Sequence, residues 1–121
     1  MRLFATLVLV CAAHSAHAYD YTIIGAPTCA TWLASAAEPE RRPAQLAWVL
    51  GHLSALSYIY FRHTGGIGKD PLDPIAGGAT VATILDARCA IAPEASLERE
   101  SHMLFEALIR LANPKKGGPA T

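Results

Sequence analysis

The chain has 121 residues, enough for one domain and too few for two. Hydrophobic residues make up 52% of it and charged residues 17%, so a buried core is within reach. Ten basic and ten acidic side chains give a formal charge of zero, and only 7% of the residues are aromatic; neither the basic stripe of a duplex binder nor the stacking platform of a single-strand binder is present, and no nucleic-acid partner is expected.

The N-terminus has the layout of a secretory signal peptide: Arg2 as a short positive region, an apolar run from Leu3 to Val10, then small residues ending in Ala16-His17-Ala18. Cleavage is expected after Ala18, placing the protein in the periplasm or the extracellular medium. The run is far shorter than the roughly 20 residues that span a bilayer, so no stable membrane insertion is expected. A lipoprotein signal built on Cys11 is the competing reading, but Val10 stands where a small residue is expected. Removing residues 1–18 takes away Arg2, His14, His17 and Cys11, leaving nine basic and ten acidic groups. The cysteines that remain are Cys29 and Cys89. Two cysteines in a small exported domain are expected to form a disulfide, the other reading being two buried free thiols. The bridge would close a loop of about 60 residues and contribute roughly 4 kcal/mol through chain entropy.

Residues 19–27 read as a lead-in, with a brief strand-like stretch at Tyr21–Ile24 ended by Gly25 and Pro27. Thr28 is placed to cap a first helix over Cys29–Ala37. Glu38–Arg42 is a charged connector, and Pro43 suits the first turn of a second helix running to Phe61. On that helix Leu46, Val49, Leu50, Leu53, Ser57 and Tyr60 share one face, and Ala47, Gly51 and Ser54 form a small stripe next to Tyr58. No residue from Pro43 to Phe61 is formally charged, the pattern of a central helix buried on two sides, its small stripe admitting a close neighbour. Arg62–Asp70, with Gly65, Gly66 and Gly68, reads as a mobile loop. Asp73 and Pro74 then signal the start of a third helix over Pro74–Ala90, weakened by Gly77 and Gly78. Val81, Ile84, Leu85 and Cys89 form its apolar side, with Arg88 among them expected to snorkel or meet a carboxylate. A fourth helix is expected over Ala95–Ala112, with Leu97, Ser101, Leu104, Leu108 and Leu111 as its stripe, flanked by Phe105. Asn113 and Pro114 stop it, and 113–121 read as a disordered tail. The expected fold is all-α: a domain over residues 28–112, a small bundle of about four helices stapled by one disulfide.

Few residues suggest chemistry. The sequence contains no Walker-type loop, no Cys-x-x-Cys and no His-Glu-x-x-His. Gly65-Gly66-Ile67-Gly68 is not read as a phosphate cradle, because no strand precedes it. No catalytic residue, no enzyme activity and no cofactor are expected. Glu98, His102 and Glu106, spaced by four, share a helix face and could offer three ligands to a divalent ion. A solvated polar face is the expected reading, since no second cluster completes a shell, and no metal site is expected. His52, inside the apolar helix, is expected to be a hydrogen-bonded core histidine, and Trp32 and Trp48 to be core residues.

The chain resembles the HdeA-like group of small periplasmic bacterial proteins over roughly residues 28–112. The resemblance is carried by Cys29 with Trp32 and Leu33, by Trp48-Val49-Leu50-Gly51-His52-Leu53, by Pro71-Leu72-Asp73 and the helix ending in Cys89, and by Ala95-Ser96-Leu97. It implies an all-α fold with a Cys29–Cys89 disulfide and acid-activated chaperoning of unfolded client proteins. At pH 2 the exported chain would move from a net charge of about −1 to roughly +12 or more, and self-repulsion could open so small a domain. The cysteines around a Trp/Leu/Gly-rich helix are also similar to immunity proteins that neutralise periplasmic amidase toxins of type VI secretion, which implies a rigid module for a specific protein partner. Which residues would meet a partner is not legible, and four short elements leave room for a homodimer built on the apolar helix.

Overall fold

The computed structural model describes residues 26–114. The expected signal segment, the Tyr21–Ile24 stretch and the tail beyond Pro114 lie outside these residues. The described residues form an all-α fold of four helices: α1 (Cys29–Ala34), continued by a 3-10 turn (Ser35–Ala37), α2 (Arg41–Thr64), α3 (Gly78–Ile91) and α4 (Leu97–Ala112).

Two of the four starts are capped by side chains. Thr28 Oγ1 accepts the Thr31 N–H, and Ser96 Oγ accepts the Arg99 N–H, each satisfying one of the donors a helix start leaves unpaired. Both caps lie on one β-bridge, Thr28 opposite Ser96, extended by Leu97 N–H to Pro27 O and Cys29 N–H to Ala95 O. The starts of α1 and α4 are thereby laced side by side. Cys29 and Cys89 are disulfide-bonded, with Cα atoms 4.9 Å apart, tying the first turn of α1 to the last turn of α3.

Helix α2 begins two residues earlier than the proline suggests and runs three residues further. Arg41 pairs with Glu38, and Arg42 reaches back to the Trp32 carbonyl at 2.7 Å, so both arginines are drawn into the helix. Pro43 therefore sits third in the helix, where its missing N–H still costs nothing. The other end stops at Gly65, whose φ of 66° is the left-handed conformation that terminates helices.

The third helix departs most from expectation. Asp73 and Pro74 do not open it; residues 71–74 form a turn, and α3 starts at Gly78 with Gly77 before it. The Asp70 carboxylate takes the local capping role instead, accepting the Leu72 N–H at 2.9 Å and the Ser57 hydroxyl at 2.8 Å. The late start also has a packing reason. A Cβ on Gly78 would stand 3.3 Å from side-chain atoms of Leu46 and Leu50, so the first turn of α3 lies against α2 because it carries no side chain there.

The core gathers Cys29 and Trp32 from α1, Val49 and Leu53 from α2, Val81, Leu85 and Cys89 from α3, and Leu97, Leu104, Phe105 and Leu108 from α4. Leu111 is exposed rather than part of that stripe. Two ion pairs fasten the elements. Arg42 contacts Asp86 and lies over the Trp32 ring, 3.5 Å from its centroid, while Trp32 Nε1–H donates to the same carboxylate at 2.8 Å. Arg88 donates to Glu100 at 2.8 Å, finding the carboxylate its place in an apolar stripe requires. Glu100 is only 5% exposed.

The expectation that α2 is buried on two sides does not hold. Only Val49 and Leu53 are fully buried, on the face the leucine spacing marked. The small stripe of Ala47, Gly51 and Ser54 faces outward with Tyr58, and nothing lies within 4 Å of a Cβ placed on Gly51. The other described helices are too short and too few to cover a 24-residue helix all round.

Candidate functional site

Two features stand out once the core is accounted for, and both involve α2. The first is an open groove of about 540 Å³ between the C-terminal half of α2 and the loop that follows. Its walls include Tyr58 and Phe61 on the helix, Ile67 in the loop and Leu72 beyond it. Tyr58 is 65% exposed, Phe61 59% and Ile67 80%, unusually high for large apolar side chains clustered together. The loop geometry depends on glycine. Gly66 has φ of 75°, and a Cβ there would sit 2.8 Å from the Phe61 ring, so the backbone passes directly over that ring. The far wall is held by the Asp70 bonds to Ser57 and Leu72. Asn113 Nδ2 donates to the Tyr60 hydroxyl at 3.0 Å, fixing the end of α4 against the same part of α2.

The groove continues along an uncovered seam. Ala44, Ala47, Gly51, Ser54, Tyr58 and Phe61 are all exposed and alternate at spacings of three and four, the repeat that lets one helix lie along another. The seam carries no charge, is small at its N-terminal end and aromatic at its C-terminal end.

The second feature lies where α2 packs on α4. His52 from α2 meets Glu98 and His102 from α4, and one donor atom from each lies within 4.8 Å of the others. The His52 ring stacks on Trp48, with centroids 5.3 Å apart and planes 9° from parallel. Trp48 is half-buried, stacked on His52 and packed against the edge of the core rather than fully inside it. Nor is His52 the hydrogen-bonded histidine expected, because its Nε2 is buried with no hydrogen-bond partner. Burial pushes its pKa below the ordinary histidine value; Glu98 opposes that shift and His102 adds to it. Beyond the cluster, His102 Nε2 lies 3.6 Å from Glu106, which in turn faces Arg110 at 3.8 Å.

Of the residues singled out from sequence, Cys29 and Cys89 are brought together as expected. Glu98 and His102 do share a face, but their third companion is His52 across the helix interface, with Glu106 set behind His102. That constellation was missed because helical spacing registers neighbours on one helix only. A signal existed: His52 borders the Val49/Leu53 face, as Glu98 and His102 flank the buried Leu97 and Ser101, so both sets lie on the rims of mating faces.

No family model, no curated protein and no solved structure matches the chain. Among the described residues, no helix is long and apolar enough to cross a membrane.

Proposed function

We propose that the protein is a small exported, non-enzymatic binding protein of the HdeA-like kind, which holds apolar segments of unfolding client proteins and does so most strongly in acid. The observation that carries this reading is the exposed apolar surface of Tyr58, Phe61 and Ile67 around an open groove. Surface of that kind on a small domain marks a place where another polypeptide sits. In strong acid the chain as a whole becomes positively charged, and self-repulsion works against the contacts that hold α3, the Arg42–Asp86 and Arg88–Glu100 pairs. Those two pairs fasten α3 to α1–α2 and to α4, and their loss would enlarge the apolar surface while the disulfide limits the opening.

The test is suppression of client aggregation from pH 7 to pH 2, beside near-UV circular dichroism and dye binding. The reading expects suppression to rise with loss of tertiary signal, and a Tyr58→Asp/Phe61→Asp variant to suppress much less at every pH. A protein that stays folded and inert across the range overturns it.

The uncharged seam of Ala44, Ala47, Gly51, Ser54, Tyr58 and Phe61 favours a second reading, a rigid module for a folded helical partner in the manner of the immunity proteins. A second copy of the chain could occupy the same seam. Tight complex formation at pH 7 with one defined protein, or a concentration-dependent dimer, would support this reading over the first.

A further inference from the structure

We propose that His52, Glu98 and His102 form a binding site for a divalent transition-metal ion, with two imidazoles and one carboxylate as the protein ligands. The donor atoms already lie within 4.8 Å of one another, although they come from two helices. Three such donors around one zinc ion stand about 3.3 Å apart, given metal–ligand distances near 2.0–2.1 Å. Rotation of the half-exposed Glu98 and His102 side chains would close that difference. His52 cannot turn as easily, since it is stacked on Trp48. It is the fixed member about which the other two would close.

A second observation points to a ligand independently of the spacing. His52 carries a buried ring nitrogen with no hydrogen-bond partner, the single orphaned side-chain atom of this kind among the described residues. Such a group costs free energy unless something satisfies the site. Glu98 supplies a negative charge beside it, lowering the cost of bringing in a cation.

The donor set indicates the class of ion. Two imidazoles and a carboxylate suit zinc, nickel, copper or ferrous iron and are poor for calcium or magnesium, which prefer oxygen. Three protein ligands leave at least one coordination position for water or an added ligand. Glu106 lies 3.6 Å from His102 Nε2, beyond hydrogen-bond distance, and faces Arg110 at 3.8 Å. This site is separate from the groove and does not rest on the chaperone reading.

The test uses the untagged protein, stripped with chelator and titrated with Zn²⁺ by calorimetry. Saturable uptake of one ion per chain is expected. Because loss of a residue that merely orients a ligand typically costs 10–100-fold in affinity, His102→Ala and Glu98→Gln should each weaken binding roughly tenfold or more. His63→Ala, remote from the cluster, should leave it unchanged. Ni²⁺ or Cu²⁺ should quench tryptophan emission at the same stoichiometry, as expected with Trp48 stacked on His52. Both ligand variants are checked for native circular dichroism, which half-exposed positions should preserve. Absence of one-to-one uptake, or uptake unaltered in both His102→Ala and Glu98→Gln, overturns the proposal.

Discussion

Reduction of the Cys29–Cys89 disulfide should bring the domain to the edge of unfolding. The two cysteines are 60 residues apart in sequence. For a loop of that length the chain-entropy relation gives about 4.3 kcal/mol at 25 °C. A domain the size of the described residues is stable by roughly 4–13 kcal/mol in total, so one crosslink accounts for a third of the stability or more. The assay is urea unfolding at pH 7 followed by far-UV circular dichroism, with and without a phosphine reductant. With an m value of about 1–1.5 kcal/mol per molar, the midpoint should fall by roughly 3–4 M, and m should rise because the reduced denatured chain is more open. Cys29→Ala/Cys89→Ala should lose at least as much, since both sulfurs are fully buried and their removal leaves voids. A midpoint shift under about 1 M with m unchanged would show that packing between α1 and α3, not the crosslink, restrains the chain, and the reasoning would be wrong.

Three further expectations follow from individual residues. Gly51→Ala should stabilise by about 0.5–1 kcal/mol, because the site is an open helix interior, whereas Gly66→Ala should cost about 1–2 kcal/mol through its positive φ and the Phe61 ring; thermal melts of the two variants check the opposite signs. Trp32→Phe should cost about 1–2 kcal/mol by removing the Nε1 hydrogen bond to Asp86, the partial exposure of that carboxylate keeping the loss modest; urea unfolding measures it. His52 has a lowered pKa in the folded chain, so the unfolded chain takes up its proton first. With chelator present, stability should therefore be full above the ordinary histidine value of 6.5 and decline as the pH falls below it, levelling off once folded His52 is also charged. His52→Gln should flatten that slope, and an identical slope in the variant would exclude His52 as its source.

Local chemistry was the legible part of this sequence. The Thr28 cap, the leucine face of α2 and the pairing of Cys29 with Cys89 all follow from adjacent residues or from compartment logic. The Asp73–Pro74 signal misled because a side chain that can cap a helix can equally be left in a turn, and Asp70 with the Gly77–Gly78 pair decided the outcome. The apolar length of α2 was read as burial, yet burial depends on how many neighbours the rest of the chain supplies. The His52–Glu98–His102 cluster depends on the register between two helices, which no single-helix pattern contains. Arg88 was the exception: a charge within an apolar stripe had either to snorkel or to meet a carboxylate from elsewhere, and Glu100 provides the carboxylate.

The position of the crosslink also divides the molecule topologically. The bond between Cys29 and Cys89 closes a covalent ring that contains α1, α2 and α3, while α4 lies wholly outside it, with no cysteine after Cys89. Every helix in the ring keeps a bounded separation from the others even when its side chains let go. Helix α4 has no such bound; it packs on α2 through Leu104, Phe105 and Leu108, is paired to α3 by Arg88–Glu100, and is laced to the start of α1 by backbone bonds. Opening short of global unfolding is therefore expected to begin with α4 lifting off the ring, in the manner of a foldon with its own lower free energy. Amide hydrogen exchange should register this as faster exchange in α4 than in α3, and the surface bared would be the side of α2 on which Val49 and Leu53 lie.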